Sequence, residues 1–244
     1  AQQVRRPTEQ LLKTLQKYDL LDCMRSAWYN RGRYTRRRLS HVSGGKGRSI
    51  WLGYDSLREE KVSLMRMKVS DYIAQKLVDE GITDAFMVTG GGAMHLDDGL
   101  GHQPGLHCYF NHHEQACAIA AEAYARIHNK IAALCVTTGP GGTNAITGVV
   151  GGWLDSIPML VLSGQVRYDT TAHSTGLGIR AMGDQEFEIT KAIDCMTKYS
   201  EMVLDPMRIR FCLEKSLYLA QTGRPGPCWL DIPLNVQGAY IETE

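Results

Sequence analysis

A chain of 244 residues with 43% hydrophobic and 22% charged side chains lies in the globular range, long enough for one large domain or two small ones. No apolar run approaches the roughly 20 residues that span a bilayer, and no signal-peptide pattern opens the chain, so a soluble, cytoplasmic protein with no membrane partner is expected. The net charge of +1 hides an asymmetry: residues 1–66 hold 15 Lys+Arg against 6 Asp+Glu, residues 67–244 hold 12 against 20.

Seven cysteines, an odd number with no CxxC pair, argue against a disulfide scaffold and against a thiolate metal site; Cys117 and Cys135 lie in apolar runs and read as small hydrophobes. The basic segment 1–66 carries one amphipathic stretch, Gln10 to Leu21, then Arg31, Arg33, Arg36, Arg37 and Arg38. It is expected to be a solvated extension, and Met65 and Met67 each resemble a start. Clustered arginines are also the footprint of a module that binds nucleic acid or anionic lipid, which is the alternative use of this leader.

From Met67 the pattern becomes regular. Val69–Glu80 has helical spacing and stops at Gly81. Ala85–Thr89 reads as a strand, Gly90-Gly91-Gly92 as a turn, and a helix follows through Leu100. A strand over Leu106–Phe110 leads into an Ala-rich helix. Ile131–Val136 is a strand, TTGPGGTN at 137–144 a turn into a helix ending near Leu154, and Pro158–Ser163 a strand. Pro206–Gln221 reads as a helix and Cys228–Ile232 as a last strand. Apolar strands alternating with helices predict an α/β fold, a doubly wound and mostly parallel sheet with helices on both faces. Ligands of such sheets bind beyond the carboxyl ends of the strands, where both glycine turns lie.

The turns fail the common phosphate fingerprints. Gly90-x-Gly92 has His95 where a dinucleotide motif needs its third glycine, and neither turn ends in the Gly-Lys-Ser/Thr of a P-loop. A nucleotide domain for NAD or FAD is therefore the weaker alternative.

The segment from Asn111 to Arg126, NHHEQACAIAAEAYAR, places one carboxylate, Glu114, in the first turn of a helix with six alanines between His113 and Arg126. So small a surface allows close approach of another backbone. Two roles compete for Glu114. Asn111 three residues earlier has the spacing of a capping box, in which Glu114 would serve the helix start. Alternatively the carboxylate works on a ligand. His112 and His113 beside it are expected to make backbone bonds at the helix start.

Three stretches together, VTGGGAMH at 88–95, HHEQACAIAAEAYAR at 112–126 and TTGPGGTNAITGVVGGWLDSIPMLVLSGQ at 137–165, resemble the pyrimidine-binding domain of thiamine-diphosphate enzymes, nearest to the acetolactate synthase and 2-oxo-acid decarboxylase group. The likeness covers about residues 67–235, giving an expected division into a basic extension, 1–66, and a pyrimidine-binding domain, 67–244. The resemblance implies that Glu114 hydrogen-bonds the aminopyrimidine of thiamine diphosphate and is catalytic. It places Gly90, Gly91, Pro140 and Asn144 around the cofactor, and Gln165 and Gln185 on the substrate side. It implies a 2-oxo acid substrate and a homo-oligomer with the Ala-rich helix as seam. The diphosphate and its Mg2+ would be held by a separate diphosphate-binding domain, on another chain or a missing C-terminal part, without which this polypeptide is expected to be inactive. This sequence departs from that group over 167–189, where Phe187 follows Gln185-Glu186, so an FAD site lacks support.

Overall fold

The computed structural model describes residues 65–243; the expected leader helix and its arginine run lie outside them. The elements are β1 (Met65–Lys68), α1 (Val69–Asp79), β2 (Asp84–Met87), a 3-10 turn (Gly91–Ala93), α2 (Met94–His102), β3 (His107–Phe110), α3 (Glu114–His128), β4 (Ala132–Val136), α4 (Pro140–Leu154) and β5 (Met159–Gln165). After short helices α5 (Ala172–Thr175) and α6 (Ile189–Ile193) come β6 (Tyr199–Met202), α7 (Ile209–Gln221), β7 (Pro227–Pro233), α8 (Leu234–Gln237) and β8 (Tyr240–Thr243).

Six strands form one wholly parallel sheet in the order β3-β2-β4-β5-β7-β6, so the doubly wound α/β fold holds. Period-2 alternation sorts the side chains of the central strands β2, β4, β5 and β7 between two cores. Met87, Cys135, Leu162 and Leu230 face α1, α2 and α7, meeting Ile73, Leu96 and Leu213. Leu134, Val136, Val161 and Trp229 face α3, α4 and α6, meeting Ala118, Val149 and Ile193. Cys117 and Cys135 are buried, and the six cysteines among the described residues are all free.

The structure adds two features. Met65–Lys68 pairs antiparallel with Tyr240–Thr243, so the expected boundary between 66 and 67 falls inside β1. Tyr199–Met202 forms the edge strand β6; its YSEM sequence is half-buried throughout and carries none of the apolar run that marks the central strands. The expected helix 206–221 opens as a 3-10 turn over Pro206–Arg208, capped by the Asp205 carboxylate on Met207 N–H at 3.0 Å.

The Ala-rich helix spends its small face inside the chain. A Cβ on Gly148 of α4 would lie 2.5 Å from Ala118 Cβ and 2.7 Å from the α3 backbone, so the two helices touch almost backbone to backbone. Ala118, Ala121 and Ala125 are buried there, while Ile119 and Ile127 remain exposed. Gly148→Ala must push α3 off α4 and should lower the unfolding free energy by about 1–3 kcal/mol. An unchanged urea midpoint in that variant would contradict the close contact.

Candidate active site

The carboxyl ends of β2, β4, β5 and β7 present their loops on one side of the sheet, and these loops interlock. Gly90 N–H donates to Asp97 Oδ2 at 3.0 Å, and Gly92 N–H donates to Thr137 Oγ1 at 3.1 Å. Thr138 Oγ1 donates to Gly164 O at 3.1 Å, while Gln237 Nε2 donates to Gly92 O at 2.7 Å and to Ile232 O at 2.6 Å. Gly92 and Gly164 pass so closely that a Cβ on either would overlap the neighbouring turn. Gly91 differs: a Cβ there would meet nothing within 4 Å, so its bare backbone faces open space.

Glu114 is the first residue of α3 and is half-buried. The capping-box reading of Asn111 and Glu114 is overturned. Asn111 is still strand-bound, its N–H donating to Met87 O at 3.1 Å, and its side chain donates to Cys117 Sγ at 3.3 Å. His113 is the N-cap instead, with Nδ1 accepting from Gln115 N–H at 3.1 Å, the backbone bond expected of a histidine at this helix start. The Glu114 carboxylate turns across to α4, where Oε2 accepts from Asn144 Nδ2 at 3.0 Å. Its Oε1 lies 3.6 Å from where a Gly141 Cβ would sit. One amide donor leaves most of the carboxylate's lone pairs available for a ligand.

Of the other expected site residues, Pro140 begins α4 and is exposed, as is Asn144. Gln185 is exposed in a loop laid against the Gly139–Pro140 turn. Gln165 is 1% exposed, and its carboxamide is engaged with Phe187 O, Asp231 and Val166 N–H.

The family model for the thiamine pyrophosphate enzyme N-terminal TPP binding domain matches residues 67–190, just over half of the chain. The chain belongs to the thiamine pyrophosphate enzyme family. It is 35% identical to the acetolactate synthase large subunit of Haemophilus influenzae over 170 residues, covering 70% of this chain and 28% of that protein. It is 33% identical to acetolactate synthase 2, chloroplastic, of Zea mays over 173 residues, 70% of this chain and 25% of that one. The large subunit of Lactococcus lactis gives 33% over 170 residues, with 68% and 28% covered. The chain thus spans about a quarter of the length of the relatives it matches.

Around this thiamine pyrophosphate domain site stand acids that the motifs do not mark. Burial pushes Asp97 up to about 6 against the Gly90 N–H bond, and its Oδ1 is buried without a partner. Burial pushes Asp231 up to about 7, although Ser163 and Gln165 both donate to it. A lone Asp inside the apolar strand CWLDIP was its sequence signal, since carboxylates are rarely fully buried unpaired. Glu186 goes the other way: burial would raise it, but N–H donors from Met182, Ala172 and Gly183 prevail and hold it below the usual carboxylate range. Among the described residues no group of three or more His, Cys, Asp or Glu could hold a metal ion, and no helix is long and apolar enough to cross a membrane.

The raised Asp231 fixes a sign. The folded chain keeps that proton to about pH 7, whereas an unfolded Asp releases it near pH ~3.9. Its contribution is therefore fully present below that lower value and lost as pH rises through the upper one, at up to about 1.4 kcal/mol per pH unit. Urea unfolding at pH 5 and pH 8 should show the unsubstituted chain losing more stability than Asp231→Asn over this interval. Parallel losses would contradict the buried acid.

Proposed function

We propose that this domain is the pyrimidine-binding half of a thiamine-diphosphate-dependent enzyme acting on 2-oxo acids, by acetolactate synthase-like carboligation or by decarboxylation. The observation that carries this reading is the Glu114 carboxylate, turned from its own helix start to Asn144 and left with one hydrogen bond beside glycine backbone. Glu114 would hold the aminopyrimidine ring and exchange a proton with its ring nitrogen, with Asn144 orienting the carboxylate. Gly90, Gly91 and Pro140 would line the ring's surroundings, where the open backbone of Gly91 admits a flat heterocycle that a side chain would hold off. When bound, the cofactor supplies the carbon nucleophile and the electron sink for cleaving or joining bonds beside a carbonyl. Gln185 would face the substrate.

The diphosphate and its Mg2+ would be held by a diphosphate-binding domain, supplied by another part of a longer polypeptide or by a partner chain, in a homo-oligomeric assembly. Relatives about four times the matched length support this division. A nucleotide domain for NAD or FAD is not favoured, because the 90–92 turn has His95 where the dinucleotide motif needs its third glycine.

In the completed enzyme, Glu114→Gln should slow hydrogen–deuterium exchange at the thiazolium carbon by about 10²–10⁴-fold, the range of a lost acid–base group. Circular dichroism of the variant should be unchanged. An unaltered exchange rate would remove Glu114 from the chemistry.

A further inference from the structure

Gln165 ends β5 with its carboxamide fully spent inside the chain. Nε2 donates to Phe187 O at 2.9 Å and to Asp231 Oδ2 at 3.0 Å, and Oε1 accepts from Val166 N–H at 3.0 Å. Asp231 stands on the adjacent strand as the register partner of Ser163, and accepts from Ser163 Oγ at 2.6 Å. Ser163 in turn accepts from Trp229 Nε1 at 2.8 Å. Trp229, Ser163, Asp231 and Gln165 are each at most 1% exposed. A line of four buried side chains thus runs along β5 and β7 and ends on one carbonyl of an exposed loop.

That loop is 183–188. Glu186 ties its base by accepting from Ala172 and Gly183 N–H, and Gln165 ties its far side at Phe187. Between the two ties Gln185 adopts φ +57°, a left-handed conformation that costs energy for any residue with a Cβ. Its carbonyl oxygen presses on Gly139 so closely that a Cβ there would overlap it. Gly139 opens the turn into α4, whose Gly141 and Asn144 flank Glu114. A strained backbone between two fixed points persists only because its surroundings over-determine it.

We propose that Gln165 and Asp231 are positioning residues: a buried clamp that holds the 183–188 loop, and Gln185 with it, as a fixed wall on the substrate side of the Glu114 site, so that the clamp sets how well a 2-oxo acid is bound. Gln165 then acts through Phe187 and Gln185 and does not touch substrate. This rests on the 2-oxo acid reading above.

The test pairs amide exchange in the full chain with kinetics of the completed enzyme. Gln165→Met keeps the side chain's length but removes its donors. It should speed exchange of the Glu186 and Ile189 amides, which bond to Gly183 O and Phe187 O, by about tenfold, the scale of one lost hydrogen bond. The 2-oxo acid KM should rise by a similar factor with kcat within about twofold, because the loop and not the Glu114 chemistry is disturbed. Asp231→Asn retains an oxygen for Gln165 and should show a smaller rise in both. Gln185→Gly, which relieves the left-handed strain and leaves the clamp intact, should keep or raise the melting temperature while raising KM. Unchanged exchange in Gln165→Met overturns the clamp. Faster exchange with unchanged KM overturns its role in substrate binding, and a lower melting temperature in Gln185→Gly overturns the strain. Absence of cofactor-dependent turnover in the unsubstituted enzyme overturns the functional reading instead, and the exchange data still decide the clamp.

Discussion

The contact between α3 and α4 is the constraint on which this site depends. Two helices meet through Ala118 and Gly148 closely enough that their first turns lie side by side. Only then can Asn144, one turn into α4, reach the carboxylate that begins α3. Larger side chains at this seam would separate the helix starts, and Glu114 would fall back to capping its own helix or to open water. The small alanine face of α3 and the glycines of α4, which cost α4 intrinsic helix propensity, therefore place the acid.

Beneath that pair the floor is fixed by hydrogen bonds from α2, from the turn after β4 and from α8. Asp97, Thr137, Thr138 and Gln237 each hold a glycine's backbone, and the 183–188 loop is tied down separately by Glu186 and Gln165. A site held from so many directions needs little rearrangement to accept a ligand, which is what preorganised chemistry requires. The cost shows locally, in the unpaired Asp97 Oδ1 and Gln237 Oε1 and in the left-handed Gln185.

Much of the fold was legible because its central strands are apolar on both faces and its glycines mark the strand ends. The edge strand β6 was not, since YSEM has neither the apolar run nor the flanking turn residues of the inner strands. Asn111 misled for a related reason. Asn is a preferred cap, but its N–H was already committed to Met87 in the sheet, so the helix began two residues later on a histidine. Motif likeness singled out Glu114 and Asn144, which the fold brings within 3.0 Å of each other, but could not tell that Gln165 is buried. That depends on Asp231, 66 residues away in sequence, brought beside it by the β5–β7 register.

We propose that Glu114 is held half-buried to meet a ring nitrogen; the decisive measurement is a structure of the chain together with its diphosphate-binding counterpart, thiamine diphosphate and Mg2+. A Glu114 carboxylate oxygen is expected within about 2.6–3.2 Å of the aminopyrimidine ring nitrogen, with Asn144 still bonded to the other oxygen. A pyrimidine ring bound away from α3, with the Glu114 carboxylate bonded to Asn144 alone, would contradict it.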